Sequence, residues 1–165
     1  MGTFSKSLAS VGGFVAADAR TVDYVKHFGR PFVFSASAPP AAVAAAHAAL
    51  RVLIREPERV ERVRRNAEHW RSGLRRIGLD VGRSSTPICP VVLGEEVVTI
   101  SVFKDLLQAG VFVNPVLYPA VPRNRAMLRT SVTAAHTFEQ LDHALEVVRE
   151  VVSLYGVPVA QAVYP

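Results

Sequence analysis

The sequence predicts an α/β chain whose larger part is a small α+β layer, an antiparallel sheet with helices on one face. Three observations predict it. After Gly82 the pattern runs strand, helix, strand, strand, helix, an order that suits paired strands covered by helices. Before Gly82, Val60, Val63, Ala67, Trp70, Leu74 and Ile77 recur at alternating three- and four-residue steps, the apolar stripe of an amphipathic helix. Near the end, Thr137 and Gln140 have capping-box spacing, and Phe138, Leu141, Leu145, Val148 and Val152 form a second stripe.

The elements follow in chain order. Gly12 to Ala17 is short, apolar and glycine-led, as a buried strand is, and Thr21 to Phe28 suits a short helix starting at a threonine cap. Pro31 to Pro40 reads as a strand ending in a turn. An alanine-rich helix is expected from Pro40 to Ile54, because alanine has the highest helix propensity and proline is tolerated in the first turn. Pro57 suits the N1 position of the next helix, which ends at Gly78. Ile88 to Leu93 is then a strand, Val97 to Ala109 a helix closed by Gly110, and Val111 to Val116 and Met127 to Thr133 are strands. The tail from Gly156 to Pro165 is expected to be a loosely ordered end.

Length and composition narrow the function classes. With 165 residues, half of them hydrophobic and a fifth charged, the chain can bury a core of ordinary size. No apolar run reaches the roughly 18 residues of a spanning helix, and no signal peptide precedes Thr3, so the compartment reads as cytoplasmic. Cys89 is the single cysteine, which excludes an internal disulfide and a cysteine metal cluster. The charge of +5 comes mostly from arginines between Arg51 and Arg76. Glu56, Glu58, Glu61 and Glu68 are interleaved with them, and Glu58 with Arg62 and Glu61 with Arg65 have the i,i+4 spacing of helical ion pairs. That is a solvated helix face rather than a phosphate-binding stripe, and nucleic acid is not an expected partner.

The segment with the most chemistry is Thr3-Phe4-Ser5-Lys6-Ser7-Leu8-Ala9-Ser10-Val11-Gly12-Gly13. A lysine that attacks a carbonyl must be neutral part of the time. Small neighbours let a planar group approach, and Thr3, Ser5 and Ser7 offer hydroxyls for an anion such as phosphate. By itself this pattern is more often that of a surface lysine in a serine-rich segment. His136 and His143, seven apart, lack the i,i+4 spacing of a helical zinc pair, and no metal is expected. His136 reads as a residue that supports the site from behind or orders its loop rather than as a metal ligand, and Cys89 as a small strand residue rather than a nucleophile.

Four motifs change the reading of Lys6. Gly2-Thr3-Phe4-Ser5-Lys6-Ser7-Leu8-Ala9 with Gly12-Gly13-Phe14 resembles the lysine segment of the α-oxoamine synthases, a branch of the fold type I pyridoxal-phosphate enzymes. Phe34-Ser35-Ala36-Ser37-Ala38-Pro39-Pro40 is similar to the segment that follows it in that family. Gly110-Val111-Phe112-Val113-Asn114-Pro115-Val116 with Pro119-Ala120-Val121-Pro122 resembles the family's small-domain strand and loop, and Leu128-Arg129-Thr130-Ser131-Val132-Thr133-Ala134-Ala135-His136-Thr137 its substrate-arginine strand.

The resemblance implies the C-terminal part of a fold type I transferase. Residues 1–56 would be the remnant of the large cofactor domain with its connecting helix, and residues 57–165 the small α+β domain. It implies pyridoxal 5'-phosphate as cofactor, Lys6 as the residue that binds it covalently and moves the substrate Cα proton, and Thr3 as a contact to its phosphate. Ser35 and Ser37 would reach the cofactor of a neighbouring subunit in a homodimer, and Arg129 would hold the substrate carboxylate. The implied reaction is decarboxylative condensation of an amino acid with an acyl-CoA to an α-amino ketone.

The family's ring-nitrogen aspartate, stacking histidine and glycine-rich phosphate segment lie upstream of its lysine and have no counterpart here. Met1-Gly2 therefore reads as a start inside a longer frame or as a deliberately shortened chain. An alternative follows from the same gap: a catalytically inactive module that associates with itself or with a full-length partner. A hydrolase using Thr3 and Lys6 has the hydroxyl-x-x-Lys spacing, but the other elements of such enzymes are absent.

Overall fold

A computed structural model describes residues 1–157, and they divide into two compact units, residues 1–57 and residues from 58 onward. The part of the expected loose tail beyond residue 157 lies outside the described residues. Among the described residues no helix is long and apolar enough to cross a membrane.

The first unit opens with a hairpin. Strands β1 (Gly2–Thr3) and β2 (Gly13–Phe14) pair antiparallel, Gly2 opposite Phe14 and Thr3 opposite Gly13. A Cβ on Gly13 would lie 2.6 Å from the Gly2 carbonyl oxygen, so this close approach needs glycine. The buried strand expected from Gly12 to Ala17 is thus only two residues long and exposed, because pairing extends no further than its two-residue partner. Helix α1 (Ala19–Phe28) is capped by Asp18 rather than by Thr21, whose amide instead donates to the Asp18 carboxylate at 3.0 Å.

In place of the strand expected from Pro31, the chain makes a helical turn, α2 (Arg30–Val33), and then runs irregularly to Pro39. Pro31 has no N–H for a strand ladder, and its fixed φ suits a first helical turn. Helix α3 (Pro40–Arg55) follows the alanine-rich reading. Among residues 1–57 only Ala46 is buried, while Phe14, Tyr24, Phe28, Phe32, Phe34 and Ile54 are all at least half exposed.

The second unit holds the core. Helix α4 (Glu58–Ile77) starts just after Pro57 and ends at Gly78, whose φ of 96° an L side chain resists. Strand β3 (Ile88–Gly94), helix α5 (Glu96–Gln108), strand β4 (Asn114–Val116), strand β5 (Ala126–Ser131) and helix α6 (Phe138–Leu154) complete it. The sheet order is β3-β5-β4, antiparallel throughout.

Alternation along the strands separates two faces. Cys89, Val91, Ala126, Leu128 and Thr130 are buried, and Cys89, Val91 and Leu128 share one core with Trp70 and Leu74 of α4, Val102 and Leu106 of α5, and Leu141, Leu145, Val148 and Val152 of α6. Arg129 and Ser131 lie on the opposite, open face. The strand expected from Val111 is shortened to Asn114–Val116, since Val111 to Val113 do not join the ladder.

The α6 capping box forms: the Thr137 hydroxyl accepts the Gln140 amide at 3.3 Å, and the Gln140 side chain accepts the Thr137 amide at 3.0 Å. Phe138, expected in the buried stripe, sits on the first turn, half exposed and stacked on His69. The acid–arginine pairs on α4 take i,i+3 rather than i,i+4 spacing: Glu61 with Arg64 at 3.9 Å, and Glu68 with Arg71 at 3.2 Å.

Candidate active site

Lys6 stands in the turn that joins β1 to β2. The Phe4 amide donates to the Gly12 carbonyl and the Ser10 amide to the Phe4 carbonyl, both at 2.9 Å, so the turn is laced across its width. Its tip closes where the Ala9 amide donates to the Lys6 carbonyl at 2.9 Å, with Ala9 at a φ of 49° and Gly12 at 110°. The stack of Phe4 on Phe14, 5.9 Å between centroids, covers one side, and the Ser10 hydroxyl donates to the Ala42 carbonyl of α3 at 2.6 Å. A hydrogen-bonded frame of this kind holds the backbone while leaving the lysine side chain exposed.

Thr3 is in the same frame. Its hydroxyl lies 2.7 Å from that of Ser5 and accepts the Ser5 amide at 3.3 Å, so Thr3, Ser5 and Lys6 share one exposed turn. Ser35 and Ser37 occupy the irregular segment between α2 and α3, exposed, and neither hydrogen-bonds to that turn. Lys6, Thr3, Ser35 and Ser37 belong to the first unit, and Arg129 belongs to the second.

Arg129 is the exposed residue of β5 between buried Leu128 and Thr130. Across the ladder it faces Pro90 of β3 and Asn114 of β4. Among the described residues its guanidinium makes no ion pair.

Beneath Arg129 runs a buried hydrogen-bond chain with no sequence signature. The Trp70 indole donates to the Thr130 hydroxyl at 2.8 Å, and that hydroxyl donates to the Cys89 carbonyl at 2.8 Å. Just beyond β5, the Asn66 carboxamide donates to the carbonyls of Thr133 and His136 at 2.9 and 2.8 Å, and His136 Nδ1 accepts the Thr133 amide at 3.2 Å. His136 thus orders the loop, in line with its sequence context. The one readable signal for Asn66 is a polar residue beside Ala67 on the apolar side of α4.

A cleft of about 570 Å³ opens beside this chain, between Val111 to Val113 and Thr130 to Thr133. None of Lys6, Thr3, Ser35, Ser37 and Arg129 lines it. Burial pushes the Cys89 thiol above its ordinary value, against the smaller pull of Arg71 and Arg75, which keeps it a neutral packing group. Among the described residues no group of three or more His, Cys, Asp or Glu side chains is placed to hold a metal ion.

Comparison with known proteins places these features in context. The family model described as aminotransferase class I and II matches residues 1–148. An 8-amino-7-oxononanoate synthase of Treponema denticola is 41% identical over 95% of the chain. A serine palmitoyltransferase of Sphingobacterium spiritivorum is 48% identical over 88% of it. The chain spans 40% of the first relative's length and 37% of the second's. Among solved structures, one of SPT with PLP internal aldimine superposes with a TM-score of 0.89 at 34% identity, over 95% of this chain and 40% of that one. A Sphingomonas wittichii serine palmitoyltransferase gives 0.87 at 31% identity, again over 95% of this chain and 40% of that one.

Proposed function

The chain belongs to the aminotransferase class I and II family, and from that premise we propose that it is the C-terminal part of a pyridoxal-phosphate-dependent C-acyltransferase. The proposed reaction condenses an amino acid with an acyl-CoA, with loss of carbon dioxide, to give an α-amino ketone. Residues 1–56 are assigned to the large cofactor domain and residues 57–165 to the small domain. The observation that carries the reading is the turn around Lys6: an exposed amine on a hydrogen-bonded frame, flanked by hydroxyls.

That turn fits a phosphorylated aldehyde cofactor. Lys6 supplies the amine for covalent attachment, Thr3 a hydroxyl for the phosphate, and glycine at position 13 the close backbone packing of the hairpin. The cofactor would supply an electron sink for charge developing at the substrate Cα. The carboxylate that pairs with its ring nitrogen is not evident in residues 1–57, where Asp18 caps α1 and Asp23 pairs with His27.

Within this reading each residue has a defined task. Lys6, when its amine is free and neutral, takes the proton from the substrate Cα. Arg129 holds the substrate carboxylate through the paired N–H donors of its guanidinium, a geometry lysine does not reproduce. Ser35 and Ser37 reach the phosphate site of a second subunit in a homodimer.

A second reading is favoured by one observation: residues 1–57 bury a single side chain and expose many large apolar ones. Such a surface needs a cover, and a module that only associates with itself or with a longer partner would supply one without chemistry.

The deciding experiment incubates the purified chain with pyridoxal phosphate, records the absorbance spectrum, reduces with borohydride and maps the labelled peptide, with Lys6→Ala as control. Label confined to Lys6 supports the catalytic reading. Absent label, or label scattered over Lys26, Lys104 and Lys6, overturns it in favour of the module.

A further inference from the structure

The open face of the sheet places one polar side chain beside Arg129. In the β4–β5 register Asn114 lies directly opposite Arg129, and residues so paired project from the same face with Cβ atoms roughly 5 Å apart. Both are exposed, and neither side chain has a hydrogen-bond partner among the described residues. The other flank of Arg129 is Pro90, which offers no side-chain donor or acceptor. The neighbours along β5 on this face are Met127 and Ser131.

Two features make Asn114 more than an incidental surface residue. Asparagine is disfavoured in strands, where β-branched and aromatic residues fit the pleat better. It also precedes Pro115, and a residue before proline is confined to extended backbone, which fixes the direction of its Cα–Cβ bond. The result is a carboxamide held next to a guanidinium on an otherwise largely apolar surface.

We propose that Asn114 is a second binding residue for the substrate carboxylate; this rests on the reading of Arg129 given above. The guanidinium fork takes one lone pair on each carboxylate oxygen. Asn114 Nδ2 donates to a remaining lone pair on the β4 side, while Pro90 keeps the β3 side free of competing polar groups. The ligand class is an α-amino acid with a free carboxylate, and the pair selects against amides and esters of the same amino acid.

The test follows the Arg129 Nε–Hε resonance of the isotope-labelled chain by NMR during titration with L-serine and with glycine, using glycinamide as the carboxylate-free control. The expected result is a shift with the two carboxylates and none with glycinamide. Asn114→Ala should weaken the response roughly three- to tenfold, the scale of one lost hydrogen bond. Asn114→Ser, which keeps a donor, should recover part of it, and Asn114→Asp, whose carboxylate would occupy Arg129, should suppress it. Unchanged β4 and β5 amide shifts in each variant show that the sheet is intact. If Arg129 responds equally in wild type and Asn114→Ala, the role of Asn114 is overturned and that of Arg129 stands. If Arg129 of the wild type does not respond to either carboxylate, the reading of Arg129 fails and the inference falls with it.

Discussion

The indole N–H of Trp70 donates to the hydroxyl of Thr130 at 2.8 Å, and both residues are buried. This bond ties α4 to the middle strand of the sheet at the residue next to Arg129. The same hydroxyl donates its own proton to the Cys89 carbonyl on β3, so one side chain joins a helix and two strands.

Thr130→Val keeps the shape of the side chain and removes both bonds, leaving the buried indole N–H without its acceptor. The expected cost is about 1–3 kcal/mol, the penalty of an unsatisfied buried group. Trp70 is the only tryptophan of the chain, so its emission reports this site alone during denaturant unfolding. A lower midpoint for Thr130→Val, with Thr130→Ser close to wild type, is the expected pattern. Equal midpoints for Thr130→Val and wild type would show that the bond contributes nothing net.

Gly73 lies on the inner face of α4 against Leu145 of α6. A Cβ there would press into Leu145 Cδ1 and stand 2.9 Å from Cδ2 and 3.1 Å from Cγ. Alanine gains about 1 kcal/mol of helix propensity over glycine, but overpacking a filled core typically costs about 1–3 kcal/mol. Leu145 is itself buried and has little room to yield, so the clash should win and Gly73→Ala should destabilise. In a double-mutant cycle, Leu145→Ala should cost less in the Gly73→Ala background than in wild type. Additive effects would mean that Leu145 moves aside freely.

These two contacts show where the sequence is and is not informative. The stripe on α4, the Thr137–Gln140 box and the glycines after α4 and α5 are local signals, and the second unit follows them. Pro31 to Phe34 is an apolar run too short for periodicity to separate strand from helix, and a single helical turn results. Apolarity alone suggests burial of Gly12 to Ala17, yet burial depends on what lies opposite, and residues 1–57 supply almost no cover. At the candidate site, the alternation of β5 exposes Arg129 legibly. That Asn114 lies beside it depends on inter-strand register, which no local pattern encodes.

Asp18 makes α1 sensitive to acid. Its carboxylate accepts the hydroxyl of Thr21 at 2.7 Å and the amide of Thr21 at 3.0 Å, and these bonds, the hydroxyl's first, hold its pKa below the ordinary 3.8. A depressed value means that the unfolded chain binds the proton more readily, so the cap's contribution is complete above 3.8 and is lost as pH falls through the folded value. Amide protection from Val22 to Phe28 should therefore drop at pH below 3.8 in wild type. Asn is an equally good neutral cap, so Asp18→Asn should show no such drop, and Asp18→Ala should fray at every pH.

Tyr155 gives the opposite sign at the other end of the pH scale. Its hydroxyl donates to the Asp105 carboxylate at 2.5 Å, joining the end of α6 to α5. Losing that proton would break the bond and set two negative oxygens side by side, so the hydrogen bond to Asp105, helped by burial and by the Asp105 charge, raises the Tyr155 pKa above 10.0. A raised folded value means stability that is fully present below 10.0 and is lost as pH rises through the folded value. Tyr155→Phe should consequently unfold at a lower denaturant concentration than wild type at neutral pH. The gap should close as the medium is taken well above the ordinary tyrosine value of 10.0. In an Asp105→Asn background, Tyr155→Phe should cost less at neutral pH than it does in wild type, because the charged acceptor is gone. A gap between wild type and Tyr155→Phe that persists unchanged in strong alkali would mean that ring packing, not the bond to Asp105, accounts for the loss.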